Sequence, residues 1–475
     1  RRSTIDLLLP SLIPASADLS LTTVPAYYDG QLRLDHEVSD KLHVFLSAIG
    51  TDDRFELYAT KDDTAKSKRF FNNTRFVRVT AGARWHDGPW SAKLALSGIA
   101  QQFIFEAGLY QKIRTSLPTL TPRAELTRTA DEWGGLTKVV ARLGAELALG
   151  RSSAELALPL EQREGEPPPA FDPKDTSTRF NGSFWLPDFA AWTALSANLD
   201  PDIRATLGLR TDVFGRIHEV NVEPRGEVQV KLPAKLTARF SGGAYRRPPE
   251  FQSELLSTNV GSEHSLQGIV GLQYEPQDGV RVQASGYYTD RSHLLTHAMD
   301  GSLTNAGRGT TYGGELLGTY RRDPWFAWLS YSYSHSTRVD MPGGPTRLFD
   351  FDQPHSLNAA ASWKRGHWQL GGRFQLYSGL PYTPPLGAVF DSDRNVYFPV
   401  YGAVNSARAP IHHQLDVRLD YAWRWGPTDL SVFLDVQNVY MNDSVVTYFY
   451  NYDYTQQVAF KSLPIIPSLG LRGTL

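Results

Sequence analysis

The sequence predicts an all-β protein, a transmembrane antiparallel β-barrel with short periplasmic turns at one rim and long extracellular loops at the other. Three observations predict it. Apolar and polar residues alternate with a period of two along most of the chain, the connections between the alternating runs are short and long by turns, and tryptophan collects beside the short ones.

The alternation is plainest near the C-terminus. In Leu415-Asp416-Val417-Arg418-Leu419-Asp420-Tyr421 the odd positions are apolar and the even ones charged. A strand sends successive side chains to opposite faces, so this run has one apolar and one polar side. The next run sets Leu430, Val432, Leu434 and Val436 against Ser431, Phe433, Asp435 and Gln437. Ala205, Leu207 and Leu209 alternate with Arg204, Thr206 and Arg210; Leu236, Ala238 and Phe240 with Thr237, Arg239 and Ser241; Trp368, Leu370 and Phe374 with Gln369 and Arg373. The last run carries Leu469, Leu471 and Gly473 against Gly470, Arg472 and Thr474. Counting back from Leu475 gives about 20 strands, at a spacing of about 24 residues that exceeds the roughly 8–12 of ordinary sandwiches.

Short connections fall at Ser39-Asp40, His86-Asp87-Gly88-Pro89, Asp200-Pro201-Asp202, Leu232-Pro233, Pro276-Gln277-Asp278-Gly279, Arg322-Asp323-Pro324, Lys364-Arg365-Gly366-His367 and Gly426-Pro427-Thr428. Long ones fall at 9–26, 161–183, 247–263, 292–309, 338–353, 378–410 and 441–462. Outer-membrane barrels have this asymmetry, and sandwiches do not require it.

Trp85, Trp90, Trp133, Trp325, Trp363, Trp368, Trp423 and Trp425 all lie beside the short connections. Indole collects where acyl chains meet headgroups, so these residues predict an interfacial girdle at that rim. The competing reading is core tryptophan at hairpin ends, which has no reason to favour every second connection.

Composition narrows the function. Lys+Arg total 48 against 50 Asp+Glu, so the chain lacks the basic excess that phosphate neutralisation needs and no nucleic-acid partner is expected. A 12% aromatic content excludes a disordered chain. Absence of cysteine excludes disulfide scaffolds, thiolate metal clusters and a cysteine nucleophile. No run approaches the roughly 18 apolar residues of a transmembrane helix. Mean hydropathy is −0.34, as a barrel with a polar lumen allows. At this strand number the lumen is wide and must conduct water or hold a plug. A start at Arg1-Arg2-Ser3 suggests that the natural N-terminus lies upstream.

His413-Gln414-Leu415-Asp416-Val417-Arg418-Leu419-Asp420, Leu434-Asp435-Val436-Gln437-Asn438-Val439-Tyr440 and Pro464-Ile465-Ile466-Pro467-Ser468-Leu469-Gly470-Leu471-Arg472-Gly473 resemble the end of TonB-dependent outer-membrane receptors. So do Leu207-Gly208-Leu209-Arg210-Thr211-Asp212, Tyr245-Arg246-Arg247-Pro248-Pro249-Glu250, Asn305-Ala306-Gly307 followed by Gly313-Gly314-Glu315, Phe351-Asp352-Gln353-Pro354-His355, and Ser378-Gly379-Leu380-Pro381-Tyr382-Thr383-Pro384. Their order over residues 185–475 carries the likeness, while 1–184 fits by strand pattern. A final Leu475 departs from the aromatic residue on which the family usually ends. The resemblance implies an N-terminal plug inside a 22-stranded barrel, so that residues 1–475 form the barrel domain and the plug, the TonB-contacting segment and the first two strands lie upstream. It implies uptake of a scarce, bulky ligand of the ferric siderophore, cobalamin or glycan type across the outer membrane of a Gram-negative cell. The implied partners are outer-membrane lipid and lipopolysaccharide, TonB, an extracellular small molecule and proteins at the long loops. Three rival readings remain, a passive porin, a surface scaffold or export component, and a soluble periplasmic β protein.

Ligand choice would sit on the loops and the upper lumen. Tyr448, Phe449, Tyr450, Tyr452 and Tyr454, with Tyr382, Tyr397 and Tyr401, offer ring faces for a planar ligand or a sugar; the alternative is an extended hairpin whose tyrosines pack on each other. Arg246 and Arg247 would clamp an anion or, alternatively, pair with lumen carboxylates. No metal site or cofactor is expected. His412 and His413 point to opposite faces of one strand and His355 stands apart, while Asp52-Asp53 and Asp62-Asp63 lack the spacing of a cation loop. Glu161–Pro169 reads as a stiff exposed loop. Gly-x-Ser-x-Gly, phosphate-loop and His-Glu-x-x-His motifs are absent, so no catalytic residue is assigned and no enzyme is expected.

Overall fold

The computed structural model describes residues 22–474 apart from 59–68, 108–110, 160–176, 250–259, 299–301, 393–395, 452 and 463. The expectations for 9–21, Asp62-Asp63, Glu161–Pro169, Tyr452 and Leu475 therefore lie outside the described residues.

Within them the chain is built of strands: β1 (Thr22–Ser39), β2 (Leu42–Tyr58), β3 (Arg69–Asp87), β4 (Trp90–Ala107), β5 (Gln111–Ser116), β6 (Thr119–Trp133), β7 (Leu136–Pro159), β8 (Ser177–Asp200) and β9 (Ile203–Phe214). There follow β10 (Glu219–Leu232), β11 (Leu236–Arg247), β12 (Glu263–Gln277), β13 (Val280–His297), β14 (Leu303–Arg322), β15 (Trp325–Val339), β16 (Thr346–Leu348), β17 (His355–Arg365) and β18 (Trp368–Tyr377). The last third adds β19 (Pro381–Tyr382), β20 (Pro385–Asp391), β21 (Val396–Tyr401), β22 (Ala407–Arg408), β23 (His412–Trp425), β24 (Thr428–Gln437), β25 (Val445–Tyr450), β26 (Gln457–Lys461) and β27 (Ile466–Thr474).

One 21-stranded antiparallel sheet runs in chain order from β1 to β27. Nineteen of its members follow one another as a meander, against the expected count of about 20. The other two are upper segments of interrupted strands. β5 fills the place above β6 between β4 and β7, and β16 continues β17 upward along β15. The remaining elements make three small two-stranded sheets, β19 with β22, β20 with β21, and β25 with β26.

The wall has two chemically distinct faces and no oily centre. Leu207, Val220, Phe240, Leu266, Leu469 and Leu471 are exposed, Leu471 at 72%, whereas Asp416 is 7% exposed. The largest fully buried side chains are Asp352 and Ser152. A soluble protein inverts this arrangement, burying leucine and exposing charge. Strands spanning hydrocarbon satisfy their backbone only through neighbours around a ring, and such a ring turns its apolar side to lipid. The sheet is the wall of a transmembrane β-barrel.

The inward face is laced by ion pairs, among them Arg373–Asp416 (2.7 Å), Arg123–Glu146 (3.1 Å), Arg210–Asp212 (2.7 Å) and Arg418–Asp420 (2.8 Å). Bulky rings on this face settle over glycines opposite them. Phe45 faces Gly82, Trp192 faces Gly144 and Phe433 faces Gly470, each ring filling the space a β-carbon would need. Arginines lie on the same rings, with Arg33 and Arg84 5.1 and 5.3 Å from Phe45 and Arg418 3.8 Å from Phe433.

At one rim every connection is a tight turn. Gly88, Gly366 and Gly426 sit there at φ of +53°, +59° and +60°, a region that only glycine enters without steric cost. A further turn at Gly134-Gly135 joins β6 to β7, and Trp133 ends the strand before it. At the opposite rim the strands run beyond the expected loop edges. β8 begins at Ser177 and β13 continues to His297, because alternation persists where hairpins extend above the bilayer. The connection between β9 and β10, residues 215–218, is tight although it belongs to the long-loop rim, a feature the sequence reading missed.

Candidate functional site

The loop rim is organised by a buried carboxylate. Asp352 follows β16 in the segment returning to β17, and its side chain is shielded from solvent. It accepts from the Ser336 amide at 2.6 Å and from Arg408 Nη2 at 2.6 Å, with His335 Nδ1 at 3.6 Å. Arg408 also donates to the Asp352 and Gly379 carbonyl oxygens at 2.5 and 2.8 Å. One guanidinium thus ties the 340–354 segment to the 378–411 loop. A charge-assisted network of this kind is strong because a guanidinium and a buried carboxylate meet directly and each makes further hydrogen bonds to the backbone.

A second tie runs parallel to it. Arg347 donates to both Asp340 oxygens at 2.7 and 2.8 Å. Asn405 Nδ2 donates to the Leu348 carbonyl and to Asp350 at 2.9 and 2.6 Å, and its own amide donates to Thr383 Oγ1 at 2.9 Å. Gln353 Nε2 donates to the Ser378 carbonyl, and the Ser378 and His355 backbones bond each other. Gly379 lies so close to the Ala409 and Pro410 carbonyls that no β-carbon fits. The Phe351–His355 and Ser378–Pro384 motifs are therefore two halves of one joint. Sequence reading assigned none of Asp352, Arg408, Arg347 and Asn405 a role; charged and amide residues within proline-flanked motifs were the available signal.

Tyrosines stand on this platform. Tyr382 lies in β19, paired with β22 through Ala407, and its ring is 5.3 Å from that of Tyr448 in β25. β25 and β26 form a hairpin, at whose tip Tyr450 and Tyr454 stack at 6.0 Å. In the β20–β21 hairpin Tyr397 packs on Phe390 at 4.9 Å, and Tyr401 closes the strand opposite Pro385. The structure thus brings Tyr382, Tyr448, Tyr450 and Tyr454 to one cluster and places Tyr397 and Tyr401 on a separate hairpin. Burial pushes the Tyr382 hydroxyl above its usual pKa, helped by Tyr448 and opposed by a bond to Gln457. Burial likewise raises that of Tyr450, with Tyr382 and Tyr448 adding to it. The Tyr450 hydroxyl oxygen is sealed from solvent and has no hydrogen-bond partner among the described residues. Buried phenols usually find one, so this hydroxyl is an exception within the cluster.

Arg246 and Arg247 do not converge. Arg247 faces Glu263 across the β11–β12 pairing, with Nη2 2.7 Å from the carboxylate, while Arg246 meets His264 on the opposite face. His412 stacks on Tyr377 at 4.4 Å, whereas His413 bonds Tyr440 at 2.8 Å. Among the described residues no group of three His, Cys, Asp or Glu gathers in a way that could hold a metal ion.

At the turn rim Trp85, Trp90, Trp325, Trp368 and Trp425 are exposed. Trp325 and Trp363 are cross-strand partners with ring centres 6.2 Å apart, and Trp368, Tyr421 and Trp423 form a continuous row.

The same architecture occurs in known receptors. The outer membrane transporter YddB from Escherichia coli shares 10% identity at a TM-score of 0.72, covering 95% of this chain and 69% of its own. The ferric-catecholate import receptor Fiu from Escherichia coli K12 shares 12% at 0.70, covering 95% and 75%. The ferripyoverdine receptor of the outer membrane of Pseudomonas aeruginosa shares 12% at 0.67, covering 96% and 65%. The chain thus spans from just under two thirds to three quarters of these relatives' lengths. At such identities the likeness is one of fold. No curated protein sequence matches. The family described as TonB dependent receptor-like, beta-barrel matches residues 18–439. By that match, and by a wall with lipid outside and charge within, the chain belongs to the TonB-dependent receptors of the bacterial outer membrane.

Proposed function

We propose that this barrel serves a TonB-dependent transporter that captures a scarce, bulky extracellular ligand and passes it through a plugged lumen. The supporting observation is the cluster of Tyr382, Tyr448, Tyr450 and Tyr454 above the rim, fixed on the Asp352–Arg408 joint. Rings held by packing lose little conformational freedom when a planar or sugar ligand stacks on them. Ferric siderophores fit this chemistry best, because a catecholate or other aromatic chelate presents a flat face together with oxygens for phenol donors. Cobalamin and glycans are the other classes that suit it. Residues 1–475 serve as the barrel domain of that transporter, and Trp85, Trp90, Trp325, Trp363, Trp368, Trp423 and Trp425 anchor the inner interface. The role is binding and passage rather than catalysis.

The test is a titration of the full-length receptor with ferric catecholates, cobalamin and oligosaccharides, followed by intrinsic fluorescence quenching. One class binds, and Tyr448→Ala with Tyr450→Ala weakens it by about tenfold or more, as central aromatic contacts usually do. Absence of binding to all three, with a protein subunit co-purifying in fixed ratio, would instead establish the scaffold reading.

A further inference from the structure

The lipid-facing side of β11 to β14 carries a row of basic and hydroxyl side chains above Leu266, Tyr288 and Tyr312. Arg246 is the cross-strand partner of His264, His264 of Ser292, and Ser292 of Arg308. The four residues form one row over four strands, roughly 14 Å long at about 4.8 Å between strands. Their side is set by same-face neighbours two and four residues on. Below His264 is Leu266, 62% exposed, and below Arg308 the same face carries Tyr312. Between Ser292 and Leu294 the register slips, and His293 takes up a φ of +57°. This bulge brings the His293 ring within 4.1 Å of the His264 ring, and a guanidinium nitrogen of Arg246 contacts His264 Nε2. Arg308 is exposed and has no ion-pair partner among the described residues. The carboxylate sharing this face is Asp290; Glu219, held by Ser262, lies near enough to His264 to act on it electrostatically, Glu223 is engaged by the Arg246 amide, and Glu263 lies on the other face with Arg247.

A second row fixes the height of the patch. Tyr288, Tyr312 and His335 are successive cross-strand partners, and Tyr288 and Tyr312 are 53% and 45% exposed. Tyr312 stands ten residues above Arg322 at the turn end of β14, roughly 25 Å along the membrane normal for a rise of about 3.3 Å per residue and a tilt of about 40°. That is the height of the apolar band of such barrels, so the tyrosine row marks the outer interface. The cationic row stands four residues above it on β13 and β14, roughly 10 Å higher at a rise of about 3.3 Å per residue and a tilt of about 40°, at the level of the outer-leaflet headgroups.

We propose that Arg246, His264, Ser292 and Arg308, with His293, form a binding site for the phosphate groups of an outer-leaflet lipid. Two arginines at opposite ends of the row suit a headgroup with two anionic groups better than a single phosphate ion. Guanidinium pairs with phosphate oxygens through paired donors, and the hydroxyl and imidazoles between supply further donors. The proposal rests on the outer-membrane location and is independent of the ligand captured by the loops.

The experiment uses the full-length receptor extracted in mild detergent, with retained lipid counted by native mass spectrometry and heat-modifiable gel mobility checking the fold. Wild-type protein retains a bisphosphorylated glycolipid in preference to zwitterionic phospholipid. Arg246→Gln and Arg308→Gln each lower retention by about fivefold, the worth of one basic residue at a charged lipid surface. Arg239→Gln, which removes an arginine paired with Glu227 on the lumen face, leaves retention unchanged. Equal retention of both lipid types, undiminished retention by the double variant, or displacement by inorganic phosphate at matched phosphate concentration each overturns the proposal.

Discussion

The indole of Trp192 lies over Gly144, its partner across β7 and β8, in the space that a β-carbon at that position would occupy. Arg123 and Arg210 approach the ring to 4.7 and 5.6 Å, and each carries its own carboxylate, Glu146 and Asp212. The lumen wall is therefore assembled from units in which glycine admits a ring, the ring seats arginines and the arginines hold acids.

Gly144→Val displaces Trp192 and unseats both guanidinium groups. A loss of about 1–3 kcal/mol is expected from the forced repacking. Gly98→Val is its partner experiment, since a β-carbon there meets nothing within 4 Å. Urea refolding midpoints in lipid vesicles measure both; equal shifts for the two variants contradict the interlocking described.

Neighbouring positions on β15 separate the two faces of the wall. Leu329 faces lipid at 41% exposure, about four residues above Trp325, while Ser330 faces the lumen beside Leu317 and Asn358. Leu329→Arg costs about 2–4 kcal/mol near the bilayer middle, and Ser330→Arg costs little because the lumen is polar. Folding free energies in bilayers decide it, and a reversed order means the strand faces are swapped.

Asp352→Ala leaves Arg408 and the Ser336 amide without their buried acceptor. Local stability of the loop joint falls by about 3–5 kcal/mol, since removing one partner strands the other's charge. The readout is limited proteolysis of the 378–411 loop, with gel mobility showing an intact barrel. Arg408→Ala in the Asp352→Ala background adds less than it does alone, because the pair is coupled. Full additivity would show that the two residues act separately.

The phenols of Tyr382 and Tyr450 titrate above the ordinary 10.0 because burial disfavours their charged form. A group whose folded pKa exceeds its unfolded one stabilises the fold fully below the unfolded value and loses that contribution as pH rises through the folded one. Loop protection from protease is thus constant to about pH 10 and declines above it. Tyr382→Phe with Tyr450→Phe removes part of the tyrosinate absorbance that develops above pH 10 and blunts the decline. Unchanged absorbance curves would place both hydroxyls in water.

Much of the wall is written in one dimension. Leu415 to Tyr421 and Leu430 to Gln437 show their two faces because a strand repeats every two residues, and Gly88, Gly366 and Gly426 mark turns because few other residues accept a positive φ. The motifs Phe351–His355 and Ser378–Pro384 announced the family without disclosing that Asp352 and Arg408 join them, since alternation says nothing about which loops meet. Where lipid ends was likewise hidden, because strands alternate above the membrane as they do within it, and only the Tyr288–Tyr312–His335 row reveals the boundary. Arg246 and Arg247 are adjacent in sequence and read as one clamp, yet the pleat sends them to opposite sides of the wall. Periodicity and turn chemistry, which are local, settled the fold class; register between strands distant in sequence decided which charges, rings and donors share a surface.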